Sequence, residues 1–200
     1  MTMQYTEDFK KEAVRLVIKN NRKVKQVATE LAREFPAIKL FSTLSPMPSF
    51  TRAMRDSEVF SEARLTSILR DDAEKICNAA GENSVAKAVS EVLADPIRYK
   101  AIITRPLIRL GLAYLVCAKQ GDKPYDPVAH FHLSNGARLE KINAFANTSP
   151  RGLQESAGLM VNYRYIPEDF ESNHEKFINR QEISLSKKLQ KDTKNIKDSW

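Results

Sequence analysis

The 200-residue chain reads as an α/β domain in which helix outweighs strand, and three patterns carry that reading. Ile38, Leu40, Ser42 and Leu44 alternate with Lys39, Phe41 and Thr43 and stop at Ser45-Pro46; both faces are largely apolar, as in a central strand covered on each side. Val85, Val89, Val92 and Leu93 follow i, i+4, i+7, i+8, the spacing of one helix face. Leu159, Val161, Tyr163 and Tyr165 alternate along 158–166, which gives a second strand one apolar face.

Taken in order, Thr6 can cap a first helix with Phe9, Ala13, Leu16 and Val17 on one side, and Val24, Val27, Ala28 and Leu31 mark a second that runs to Phe35-Pro36. Pro46 removes a backbone donor and biases Ser45 toward an extended shape, so pairing should end there. Ser45 then sits at the strand's carboxyl end, where open α/β sheets bind ligands, although a plain Ser-Pro turn closing a strand has the same local signature. Helical periodicity recurs between 55 and 118. Thr104 can cap the last helix of that block, with Pro106 in its first turn and Leu107, Ile108, Leu110, Leu112, Leu115 and Val116 making it apolar on nearly all sides. Asp126 can cap the next, with Pro127 at its first position and Gly136 just past its end, which puts His132 toward its carboxyl end. Residues 137–146 read weakly as a strand, and the Lys-rich tail from Glu175 reads as a solvated helix or a frayed end.

Composition narrows the class. An apolar share of 42% is enough for a core, and no run nears the roughly 18 apolar residues of a membrane span. With no signal-peptide core at the start, and no peroxisomal signal in Lys197-Asp198-Ser199-Trp200, the expected location is cytoplasmic. Cys77 and Cys117 form no CxxC pair and read as buried, reduced thiols. The net charge of +7 sits at the ends: residues 1–33 carry eight Lys/Arg against four Asp/Glu and residues 176–200 seven against three, while 34–175 carry 17 against 18. A core built for phosphate backbones is therefore not indicated.

Two resemblances lie along the chain. Residues Tyr5 to Val17 resemble the start of the helix-turn-helix of small transposase-associated proteins, without the third helix that reads a major groove. From Lys25-Gln26-Val27 onward a different family takes over. Arg33-Glu34-Phe35-Pro36, Phe41 through Thr51, Arg105-Pro106-Leu107-Ile108-Arg109-Leu110, Asp126 through Ala137, Ser149-Pro150-Arg151-Gly152 and Gly158 through Tyr165 resemble malonyl-CoA decarboxylase. The chain thus divides into 1–24, transposase-like; 25–175, the decarboxylase-like catalytic region; and 176–200, a basic tail. The fold implied is a partial, predominantly helical acetyltransferase-like (GNAT) fold that lacks the first strands of its sheet, which would leave the strand at 38–44 with an unpaired edge.

The activity implied is loss of CO2 from malonyl-CoA to give acetyl-CoA, in a truncated or rearranged copy of the enzyme. Such a site must stabilise an oxyanion and deliver a proton to carbon. By resemblance Ser45 and His132 are the catalytic pair, and Tyr165 and Asn135 hold the substrate. No metal or organic cofactor is needed, because the thioester is itself the electron sink; His130 and His132, two apart on a helix, point to different sides and suit no shared metal. Each residue also has a plainer reading, as a satisfied histidine or as strand aromatics packed on the core. The family's glycine-containing loop for the coenzyme A pyrophosphate is replaced by Arg15 to Asn21, which has no glycine, and Ser49 stands where glycine is usual. The implied partners are malonyl-CoA and either a second copy of the chain or a chain supplying the missing half. Nucleic acid and membrane are not expected. The competing readings are a nucleic-acid-binding protein, through the basic N-terminal helices, and an inactive interaction module.

Overall fold

The computed structural model describes Arg33, residues 40–198 and Trp200. The transposase-like start and strand residues Ile38 and Lys39 lie outside them. Two short strands come first, β1 (Phe41–Ser42) and β2 (Ser45–Pro46), and then five helices: α1 (Phe50–Met54), α2 (Glu62–Leu69), α3 (Asp71–Ala80), α4 (Val85–Ala94) and α5 (Lys100–Val116). A hairpin, β3 (Lys119–Gln120) and β4 (Lys123–Pro124), leads to α6 (Pro127–Ser134), β5 (Arg138–Asn143), α7 (Pro150–Ser156) and β6 (Met160–Tyr165). A 3-10 turn at Pro167–Asp169 precedes α8 (Phe170–Arg180) and α9 (Lys187–Lys197). The mixed helix and sheet content agrees with the α/β reading.

The centre of the sheet is β6 and not the strand expected at 38–44. β5 pairs with one edge of β6, and β1 and β2 share the other, all antiparallel. The register sets Phe41 against Tyr165 and Ser45 against Val161. Pairing also runs through Pro46, opposite Met160, one residue beyond the expected stop. Among the described residues segment 41–46 is an outer strand, interrupted at Thr43-Leu44 and held through the gap by the Thr43 N–H, which donates to the Tyr163 carbonyl at 2.9 Å. Leu40 and Leu44 are 52% and 53% exposed, so its two faces are not both covered. Alternation of apolar residues reports a strand but not its rank in the sheet, which depends on partners far along the chain.

The helical block follows its sequence pattern more closely. Val85, Val89, Val92 and Leu93 are all buried along α4. Ser84 accepts the Lys87 N–H, and Glu62 reaches from α2 to accept the Val85 and Ala86 N–H groups at 2.6 and 2.9 Å, so the first turn is capped twice. The expected cap at Thr104 is not made, because α5 begins four residues earlier. Thr104 is interior and donates its hydroxyl to the Lys100 carbonyl at 2.6 Å. Pro106 therefore removes a helical hydrogen bond at Ile102, a solvent-exposed position where water can replace the lost donor. Leu107, Leu112, Tyr114 and Leu115 of α5 are at most 2% exposed, and truncation of any to alanine should cost about 2–5 kcal/mol.

The tail is neither frayed nor free. α9 buries Leu189, Thr193 and Ile196 and packs on α5. Just before it the chain runs beside β5, where the Leu139 N–H donates to the Ser184 carbonyl at 2.9 Å and the Ser186 N–H donates back to the Leu139 carbonyl at 3.0 Å. The Ser186 hydroxyl adds a bond to the Glu140 carbonyl at 2.8 Å. Among the described residues no helix is long and apolar enough to cross a membrane, and no three His, Cys, Asp or Glu side chains gather as a metal would require. Both cysteines are free and half-buried, and burial pushes the Cys117 thiol up to about 11.

Candidate active site

Helix α6 lies across the buried face of β6, and its position is fixed at both ends. At its start Asp126 accepts the Ala129 N–H at 2.8 Å, with Pro127 in the first turn. Past its end Gly136 has φ +78°, and a Cβ there would run into the Phe170 backbone, so glycine is required on two counts. Asn173 and His174 of α8 hold that end, bonding the Gly136 carbonyl at 3.1 Å and the Ser134 carbonyl at 2.6 Å. His130 then meets Phe177 of α8, while His132 turns to the sheet and stacks on Tyr163, with ring centres 4.4 Å apart and planes 20° from parallel.

Three of the four residues singled out in the sequence come together there. His132 Nε2 lies 2.9 Å from Ser45 Oγ, and its Nδ1 lies 2.7 Å from the Tyr165 hydroxyl. Ser45, His132 and Tyr165 are 6%, 7% and 4% exposed, so the row is nearly withdrawn from water. Asn135 is not part of it: it is the C-cap of α6 and donates its side-chain amide to the Phe131 carbonyl at 2.7 Å.

The row accommodates its protons in two ways. In one, Ser45 donates to Nε2 and Nδ1–H donates to the Tyr165 oxygen. In the other, Tyr165 donates to Nδ1, Nε2–H donates to Ser45 Oγ, and the Ser45 hydroxyl donates to Thr43 Oγ1 at 3.0 Å. The two are the two tautomers of His132, and going from the first to the second takes up one proton at the Ser45 end and releases one at the Tyr165 end, so the row can pass a proton along its length. Burial lowers His132 to about 4, so the imidazole is neutral at neutral pH, and burial raises the Tyr165 phenol above its ordinary range.

Thr43, Asn162 and Asn143 were not anticipated as members of the site. The Asn162 amide donates to the Thr43 carbonyl at 2.7 Å, and the Asn143 amide donates to Asn162 Oδ1 at 2.7 Å. This pair of amides fixes the interruption in segment 41–46 from which Ser45 projects. Thr43 and Asn162 both lie inside stretches that the sequence marks, Phe41–Thr51 and Gly158–Tyr165. No local pattern connects them, because they are 119 residues apart.

Comparison with known proteins covers the stretch that carries this geometry. The sequence model of the family described as the malonyl-CoA decarboxylase C-terminal domain matches residues 10–200. The chain belongs to that family. The match extends into residues 10–24, ahead of the decarboxylase-like motifs, and the helix-turn-helix resemblance has no counterpart in these comparisons. Mitochondrial malonyl-CoA decarboxylase of Anser anser anser is 33% identical over 193 residues, covering 92% of this chain and 38% of the goose protein. That of Rattus norvegicus is 33% identical over 183 residues, 83% of this chain and 35% of the rat protein. Among solved structures, malonyl-CoA decarboxylase from Cupriavidus metallidurans superposes with a TM-score of 0.70 at 33% identity, over 84% of this chain and 42% of the other. The enzyme from Rhodopseudomonas palustris gives 0.62 at 34% identity, over 84% and 36%. The chain therefore spans little more than a third of the length of these curated relatives.

Proposed function

We propose that this member of the malonyl-CoA decarboxylase C-terminal family catalyses the decarboxylation of malonyl-CoA to acetyl-CoA, with Ser45 and His132 as the catalytic pair and Tyr165 behind them. The observation that carries the reading is the Ser45–His132–Tyr165 row, two hydrogen bonds of 2.9 and 2.7 Å among three buried side chains. In the reaction the bond between the carboxylate carbon and the α-carbon breaks and CO2 departs. Its electron pair passes into the thioester enolate, and the α-carbon then takes one proton. The net demand on the protein is one proton delivered and one developing oxyanion stabilised.

His132 suits that demand because its proton affinity depends on what lies beside it. In the free protein burial alone lowers it to about 4, with no anion to oppose the effect. A substrate carboxylate, and then an enolate, next to Ser45 would raise its affinity for a proton, so protonation would coincide with arrival of the negative charge. Ser45 stands between imidazole and substrate and relays the proton to carbon. Tyr165 holds the Nδ1 side, fixing the tautomer and steadying the ring as Nε2 gives up its proton. No metal or organic cofactor is called for, because the thioester carbonyl accepts the electron pair.

The fold we assign to the region is a partial acetyltransferase-like one, supported by an antiparallel sheet with α6 laid across one face. The unit containing the row is 25–175, in a cytoplasmic protein. Coenzyme A would be gripped by residues outside 40–198, or by a second chain pairing with this one, since no described turn has the glycine spacing that cradles a pyrophosphate. The test is conversion of malonyl-CoA to acetyl-CoA by the purified chain, followed chromatographically beside a His132→Ala control. Conversion lost in the control supports the reading. A folded chain with no conversion at all overturns it.

A further inference from the structure

A cavity of about 380 Å³ opens between α2, α5 and α9 and shares no lining residue with the Ser45 row. Its floor is apolar, made by Ile68, Ile108, Leu112 and Ile196. Its rim is cationic, with Arg70, Arg105, Arg109 and Lys188 set against one acid, Asp192. Arg109 is already employed: its guanidinium donates to the Ile68 and Leu69 carbonyls at 3.2 and 2.9 Å and lies 3.4 Å from Asp72, closing the end of α2. Among the described residues the side chains of Arg70, Arg105 and Lys188 make no hydrogen bond or ion pair.

Three unpaired cations around one small cavity repel each other, and general basicity does not explain them. Arg70 and Arg105 belong to the stretch 34–175, whose charges nearly balance. Arg70 moreover has φ +55° and ψ −130°, a conformation that costs a residue with a Cβ and that glycine would relieve. An arginine kept at the α2–α3 junction in that shape adds a guanidinium to the rim. The cavity is of small-molecule size, and the guanidinium fork suits a phosphate with several acceptor oxygens.

We propose that this cavity is a binding site for a small organic phosphate, the phosphate held among Arg70, Arg105 and Lys188 and an apolar body resting on the isoleucine and leucine floor. The site is independent of the proposed reaction, so its test does not need an active enzyme. The full chain is titrated calorimetrically at low salt with 1-naphthyl phosphate, inorganic phosphate and 1-naphthol. The whole molecule should bind at least about tenfold more tightly than either fragment, because both halves of the cavity are then used. Arg105→Glu and Lys188→Glu should each weaken it about tenfold or more, through loss of an attraction and gain of a repulsion. Both positions are exposed, and folding is checked by circular dichroism; if a reversal unfolds the chain, Lys188→Gln should still weaken binding severalfold. No saturable binding, equal affinity for inorganic phosphate, or binding indifferent to all these substitutions would overturn the assignment.

Discussion

Helix α6 carries a buried polar cluster at each end, and the two are built differently. At its N-terminus Asp126, 1% exposed, accepts the Ala129 N–H at 2.8 Å and the Tyr114 hydroxyl at 3.0 Å. The ionised carboxylate can only accept, so the Ala129 N–H and the Tyr114 hydroxyl must both donate to it, and that cluster has one arrangement of protons. Near the C-terminus every member of the Ser45–His132–Tyr165 row can either donate or accept, and the row has two. A saturated cluster holds the helix in place, while a reversible one can lend a proton and take it back. On the proposed reading, the two ends separate what the helix contributes to stability from what it contributes to chemistry.

The largest effect that should divide them is on turnover. Ser45→Ala or His132→Ala should lower malonyl-CoA decarboxylation by about 10²–10⁴-fold, whereas Asp126→Asn, assayed well below its melting temperature, should change it by less than about threefold. Comparable losses from both ends would erase the distinction. On stability the order inverts: Asp126→Ala removes a cap and strands a buried tyrosine hydroxyl, which together should cost about 2–4 kcal/mol in urea unfolding.

The pH dependence of stability sharpens the contrast. His132 titrates near 6.5 when unfolded and near 4 in the fold, so between those values the unfolded chain binds the extra proton and the native state loses ground as pH falls. The loss should amount to about 3 kcal/mol between pH 6.5 and pH 4, be regained as pH rises, persist in Asp126→Asn and vanish in His132→Gln. Unfolding midpoints across that range decide it; an unchanged slope in His132→Gln would remove His132 from the account. The smallest effect belongs to the amide pair. Asn162→Ala frees the Thr43 carbonyl without touching the row and should lower kcat about tenfold with KM nearly unchanged, as loss of positioning does.

Much of this was legible from residue order. The α4 face and the Asp126–Pro127–Gly136 signature of α6 are local, and local chemistry specifies them. The Ser45, His132 and Tyr165 assignments came from resemblance to a family and not from periodicity, because the bonds joining them span 87 and 33 residues. The rank of β6 in the sheet, the interior place of Pro106 and the Thr43–Asn162 bond were not legible. Each is decided by which distant segment packs alongside, and nothing within a few residues records that choice. Asn135 was assigned to substrate by the same resemblance; in the fold it is the C-cap of α6.

The bonds between residues 184–186 and β5 have a consequence for solubility. β5 is an outer strand of the sheet, and such a strand offers a row of open donors and acceptors to any neighbouring chain with a compatible edge. Ser184 and Ser186 occupy part of that row, and the short bridge cannot grow into a ladder because α9 begins at Lys187. The lysine-rich tail that follows adds charge beside the guarded edge. A chain cut before Ser184 would retain Ser45, His132 and Tyr165 but leave that margin of β5 open, so it should self-associate more readily than the full chain.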